Sequence, residues 1–215
     1  MSEVEARRGR PRKDCDPAPE ERVLAQALHA FAIHGYEGVS VRELNRVLGV
    51  SHNLLHKRFG SKEGIWYAAV SWGFGRVAAE LTQADDVTAD AEVRLKAMIR
   101  ALVRSAARNP DLPRLVTNEA GQESARLDYM LDTFVRPKLS IVVTLYDELV
   151  QAGRLREVPL HTFFYLINFG GGAAFSNVAL TRRLFGDTPF AEDEIERHAL
   201  AVADLVIDGL RHPRA

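Results

Sequence analysis

The chain has 215 residues, 27% charged and 47% hydrophobic, which is an ordinary soluble composition with enough apolar material for one or two cored domains. One cysteine, Cys15, excludes an internal disulfide, and the opening MSEVEARRGRPRKD lacks the apolar run of a signal peptide, so the expected location is the cytoplasm. The net charge of −1 is unevenly spread: residues 1–62 hold 11 Lys and Arg against 8 Asp and Glu, the remainder 17 against 21, so a polyanion suits the N-terminal end.

Residues 1–18 read as a disordered basic arm, with Arg7, Arg8, Arg10, Arg12 and Lys13 around Gly9 and Pro11. A helix is expected over 19–34, with Val23, Ala27, Ala30, Phe31 and Ile33 near one face and Gly35 as its cap. Ser40-Val-Arg-Glu43 is a capping box that opens a helix over 40–48. Ser51 caps the next helix, 51–59, and Ser61 a third that runs to 83. Helices follow over 89–108, after Pro113, over 124–152 with Pro137 inside as a kink or break, over 159–184, and over 192–210. No convincing alternating run of strand type occurs, so the fold class is all-α. The stretch 158–181 has no charged residue, but His161, Thr162, Asn168, Ser176, Asn177 and three consecutive glycines make it a poor membrane span; it reads as a helix buried between protein surfaces.

The chemistry concentrates where two short helices meet at Leu48-Gly-Val-Ser51. This is a helix-turn-helix: glycine permits the sharp turn, and Val41, Leu44, Val47, Leu48, Leu55 and Phe59 supply a small core. The second helix then exposes His52, Asn53, His56, Lys57 and Arg58, donors for base edges and phosphates on an element sized for the major groove.

At these residues the chain resembles the TetR (tetracycline repressor) family. The stretch AFAIHGYEGVSVREL over 30–44, the turn LGVS over 48–51 and FGSKEGI over 59–65 carry the resemblance, which covers about residues 20–70. It implies a DNA-binding domain over 19–65 and an effector-binding and dimerisation domain over 66–215. It also implies that Lys62 meets a phosphate at the start of a helix, where the dipole favours an anion. The recognition helix departs from the usual family pattern, with Asn53 for glycine, Leu54 for threonine and His56 for tyrosine, which leaves the operator sequence open. The candidate DNA-contact residues are therefore Ser40, Arg42, Ser51, His52, Asn53, Leu54, His56, Lys57, Arg58 and Lys62, with Arg8, Arg10, Arg12 and Lys13 of the arm. The arm's Arg8-Gly-Arg-Pro-Arg-Lys13 resembles an AT-hook core that lies in the A·T minor groove; a solvated tail of unspecific charge fits it equally.

By the same resemblance the last two helices pair with their twins in a homodimer. The stripe Ile195, Ala199, Val202, Val206 and Leu210, with Phe163, Ile167, Gly170 and Ala174 before it, fits such an interface. The pocket candidates are Trp66, Phe74, Met98, Leu102, Met130, Phe134, Tyr146, Phe163 and Phe175, with Asn118, Asn168 and Asn177 as polar anchors; this apolar bias points to a hydrophobic or aromatic effector. No cofactor, metal site or catalytic constellation is expected. His52 and His56 have ligand spacing without a third ligand, and Gly73-x-Gly75-x-x-Ala78 follows no strand. The reading is a repressor on a palindromic operator, released by a small molecule. Its rivals are a nucleoid-type DNA-binder of the same fold without an effector, an activator, or an enzyme using the C-terminal cavity.

Overall fold

The computed structural model describes residues 20–48 and 52–211, with side chains from Leu55 onward in the second stretch. The basic arm, the turn at Gly49-Val50-Ser51 and the side chains of His52, Asn53 and Leu54 lie outside the described residues, and so do the roles expected for them. The described chain is all helical. In order it runs α1 (Glu20–Gly38), α2 (Val41–Leu48), α3 (His52–Phe59), α4 (Lys62–Ala84), α5 (Ala91–Arg108), α6 (Asp111–Ala120), α7 (Ala125–Met130), a π turn (Leu131–Val135) and α8 (Arg136–Gln151). Then come α9 (Leu160–Tyr165), a second π turn (Leu166–Gly170), α10 (Ala173–Ser176), α11 (Val178–Phe185), a short 3-10 turn and α12 (Glu192–Leu210).

Local chemistry sets most of these boundaries. Gly35 breaks α1 with φ 69°, a backbone region costly for any residue with a Cβ. The Ser40 hydroxyl accepts from the Glu43 amide at 3.1 Å, and the Ser61 hydroxyl from the Gly64 amide at 3.0 Å, so two of the three expected serine caps form, while the third, Ser51, lies outside the described residues. Asp90 and Ser124 cap α5 and α7 in the same way. Near Pro137 the helix expected over 124–152 is divided by a π turn into α7 and α8. The Arg136 amide donates to the Leu131 carbonyl, the backbone stays helical through Arg136, and Pro137 falls in the first turn of α8, where its missing N–H is tolerated.

Two parts of the expected pattern are corrected. Ile33, expected on the apolar face of the first helix, is 44% exposed, and Val47, expected in the small core, is 39% exposed. The helix expected over 159–184 is interrupted by the second π turn and again at Asn177; a charge-free stretch offers no polar rhythm by which such breaks could be read.

One core joins the N-terminal helices to the body. Phe31, Leu44, Leu48, Leu55, Ile65 and Trp66 pack in one cluster with Leu112 and Leu115 of α6 and with Met130. A second core gathers Leu95, Met98 and Ile99 of α5 with Leu145 and Leu149 of α8, Phe163, and Ala203 and Ile207 of α12. Ion pairs line the α5–α12 contact, with Lys96 to Asp204 at 2.7 Å and Arg108 to Glu192 at 2.6 Å; part-exposed pairs of this kind add little individually.

Candidate nucleic-acid interface and effector cavity

The head presents a cationic surface on α2, α3 and the start of α4. Arg42 is exposed on α2; on α3, His56 and Lys57 are exposed and make no ion pair among the described residues. Two expected contact residues are partly committed elsewhere. The Ser40 hydroxyl serves as a helix cap, and Arg58 donates to Glu20 at 2.5 Å, tying α3 to α1. Arg58 is therefore a brace for the recognition helix, a role invisible in sequence because its partner lies 38 residues away.

Lys62 is half-buried, and its ammonium lies 4.2 Å from the centroid of the Tyr36 ring. The same ring takes the Arg126 guanidinium at 3.9 Å. Burial, reinforced by the nearby Glu63 carboxylate and opposed by Arg126, pushes the Tyr36 phenol above its ordinary value, so it stays neutral at physiological pH. Arg126 also donates to Glu119 at 3.0 Å. Two further contacts clamp α6 onto α1: His29 Nδ1 lies 3.0 Å from Asp111, and the Asn118 amide donates to the Ala32 carbonyl at 3.0 Å.

Below the head, two adjoining chambers of about 220 and about 310 Å³ open between α4, α5, the first π turn and α9. Phe74, Val77, Leu102, Val135, Phe164, Ile167 and Asn168 line both, so they form one cavity. Its walls are apolar apart from a few groups, chiefly Ser105, Asn109, Thr133, Lys138 and Asn168. Both π turns lie in the wall. Around the first, Phe134, Lys138 and Val142 line one chamber, Leu127 and Leu131 the other, and Val135 both.

Of the expected pocket residues, Phe74, Met98, Leu102, Phe134, Phe163 and Asn168 line the cavity. The others do not. Trp66 and Met130 are buried in the head-to-body core, and Phe175 packs with Val103, Ile195 and Ala199. Asn118 is spent on the α1 clamp, while Asn177, exposed, donates to the Ala173 carbonyl. The Tyr146 hydroxyl accepts from the Val158 amide at 2.7 Å, which fixes the loop between α8 and α9. Sequence reasoning missed Ser105, Asn109, Thr133, Lys138 and Phe164. A signal for two existed: Met98, Leu102 and Ser105 fall on one face of α5 at helical spacing, and Asn109, the residue that caps it, follows at the same interval.

The stripe expected at the dimer interface faces inward. Ile195, Ala199, Val206 and Leu210 are buried, and Val202 half-buried, against α5 and neighbouring elements; Phe163 and Ile167 belong to the second core. Ala174 is half-buried and Gly170 exposed. The close approach falls instead at Gly171, where a Cβ would lie 3.1 Å from both Val103 and Val202. The outward apolar residues are Leu180, Leu184 and Phe185 on α11, and Leu200 and Leu205 on α12, with Phe185 66% and Leu205 75% exposed. Among the described residues no helix is long and apolar enough to cross a membrane.

Comparison with known proteins agrees with this architecture. Residues 23–69 match the family model described as bacterial regulatory proteins, tetR family, and residues 92–206 match the model of the tetracyclin repressor-like C-terminal domain. The HTH-type transcriptional repressor AcnR of Corynebacterium glutamicum is 33% identical over 63 residues, 29% of this chain and 34% of that protein; the chain thus spans about a third of the length of the curated relatives it matches. The ketosteroid transcriptional regulator KstR2 of Mycobacterium tuberculosis superposes with a TM-score of 0.71 at 16% identity, over 91% of this chain and 97% of that one. FadR of Bacillus subtilis, solved with stearoyl-CoA, superposes at 0.64 with 17% identity, over 88% and 98%. At these identities the two structures speak for the fold alone.

Proposed function

Since the chain belongs to the TetR family of bacterial regulatory proteins, we propose that this DNA-binding transcriptional regulator represses as a homodimer on a two-fold symmetric operator and lets go when a largely apolar small molecule fills the cavity. The observation that carries this reading is the path from cavity to head. Leu127 and Leu131 stand in the cavity wall, and Arg126, on the same helix as Leu127, lies over Tyr36, the ring that also holds Lys62. A ligand that displaces α7 therefore displaces a contact made directly on the DNA-binding head, which is the differential interaction a ligand needs to shift an equilibrium. The apolar walls favour an apolar effector, in keeping with the stearoyl-CoA bound to FadR and with a relative named for ketosteroids. The outward leucines of α11 and α12 supply a surface for a second copy.

Variants of the head test the DNA half of the proposal. Asn53→Ala and His56→Ala should each lower the preference for operator over random DNA by about 5- to 150-fold, the range spanned by loss of a base-edge contact. Lys62→Ala should weaken both DNAs about equally, since phosphate contacts carry no sequence information directly. Fluorescence anisotropy at fixed salt, with folding checked by circular dichroism, decides it. An unchanged specificity ratio in both recognition-helix variants would remove α3 from the major groove.

A further inference from the structure

We propose that the cavity is built for an elongated, mostly apolar anion that carries a hydroxyl or carbonyl group at a distance from its charge, with Lys138 receiving the anion and Ser105 the remote polar group. The inference rests on the reading of the cavity as the effector site and names the chemistry of what enters it.

Among the described residues that line either chamber, Lys138 is the one charged side chain, and no carboxylate accompanies it. It is half-buried at the start of α8, in the wall of the smaller chamber, and makes no ion pair or hydrogen bond among the described residues. Its neighbours in sequence are not left this way, as Arg136 pairs with Asp132 at 2.9 Å. A lone lysine in an otherwise uncharged, mostly apolar wall disfavours cationic ligands and favours an acidic head group.

The larger chamber holds a second unsatisfied group. Ser105 is 2% exposed, lines that chamber, and its Oγ is buried without a hydrogen-bond partner. Helical serines ordinarily turn back to a carbonyl of the preceding turn, as Ser71 and Thr82 do in this chain. A buried hydroxyl without that bond, on a residue of the cavity wall, becomes a site for a ligand's polar atom when rotation about its Cα–Cβ bond turns it into the chamber. Asn168 is not the rival anchor it first resembles, since its amide donates to the Phe164 carbonyl at 3.0 Å. Lys138 belongs to the smaller chamber alone and Ser105 to the larger alone, while Phe74, Val77, Leu102 and Ile167 line the passage common to both. The ligand is thus charged at one end, apolar in the middle and hydrogen-bonding beyond.

The test titrates the full-length protein with straight-chain carboxylic acids of 8 to 16 carbons, the matching primary alcohols and the matching ω-hydroxy acids, below their micellar concentrations, by calorimetry. The wild type should bind acids at least about tenfold more tightly than the alcohols. Lys138→Met should bring acid and alcohol within about twofold while leaving alcohol binding unchanged. At one chain length the ω-hydroxyl should tighten binding severalfold, and Ser105→Ala should erase that gain alone. Equal binding of acid and alcohol, an acid preference that survives Lys138→Met, a hydroxyl gain that survives Ser105→Ala, or no binding by any probe would each overturn the proposal. Operator release is followed in the same samples. Binding with the expected preferences but without release upholds this site and overturns the effector-gated reading. Release by acids and alcohols alike, with no preference between them, does the reverse.

Discussion

Gly64→Ala is expected to abolish specific DNA binding, lowering operator affinity by about 1,000-fold or more, the scale on which specific and unspecific binding differ. Gly64 sits in the first turn of α4, and a Cβ there would be driven into the Phe59 carbonyl and to 3.1 Å from the Phe59 carbonyl carbon. Neither of those atoms is the end of a flexible side chain. Phe59 is the last residue of α3, and its side chain packs against the head core, so relief requires the recognition helix to shift. The Ser61 hydroxyl bond to the Gly64 amide is stretched by the same displacement. Gly75→Ala is the matched control: it lies in the interior of α4 with nothing within 4 Å of the added carbon, where alanine favours a helix by up to about 1 kcal/mol. Anisotropy on operator DNA and thermal unfolding should show Gly64→Ala impaired in binding and Gly75→Ala unimpaired. Wild-type affinity in Gly64→Ala would mean that the α3–α4 junction does not fix the reading head.

The second large effect is expected from the outward leucines. Leu184→Glu and Leu205→Glu should each turn the dimer into a monomer at micromolar concentration, because both side chains are more than half exposed and an ionised carboxylate at an apolar interface has no partner. With the dimer lost, affinity for a two-half-site operator should fall towards that for one half-site. Ile195→Ala is the contrast. Ile195 is buried within the subunit, so this change should cost about 2–5 kcal/mol of stability and leave the stoichiometry unchanged. Light scattering on all three separates the outward surface from the inward stripe; a dimeric Leu184→Glu and Leu205→Glu would place the interface elsewhere.

What could be read in the sequence was what short-range chemistry determines. Ser40, Ser61 and Gly35 mark their helix ends through bonds and dihedrals made within a few residues, and α12 occupies the expected 192–210 without a side-chain cap. The head was legible because its caps at Ser40 and Ser61 and the spacing of its apolar residues are set by neighbours close in sequence. The cavity was legible in part: Met98 and Leu102 pointed to its α5 face, but Tyr146 and Phe175 have the same composition and pack elsewhere. Periodicity shows that a helix has an apolar stripe and cannot say whether that stripe meets its own chain or another copy. That is why Ile195, Ala199, Val206 and Leu210 read as an interface while α5 in fact covers them. Arg58 illustrates the converse, a charged side chain on a recognition helix whose carboxylate partner only the fold brings near.

The most direct test of the account is selection of bound DNA from a random duplex pool by the purified full-length protein, followed by titration of the selected sequence at several salt concentrations. The account predicts a two-fold symmetric sequence, bound by a dimer, with affinity falling steeply as salt rises because several Lys and Arg contacts release counterions. Recovery of no shared sequence, or an affinity that stays flat as salt rises severalfold, would contradict it.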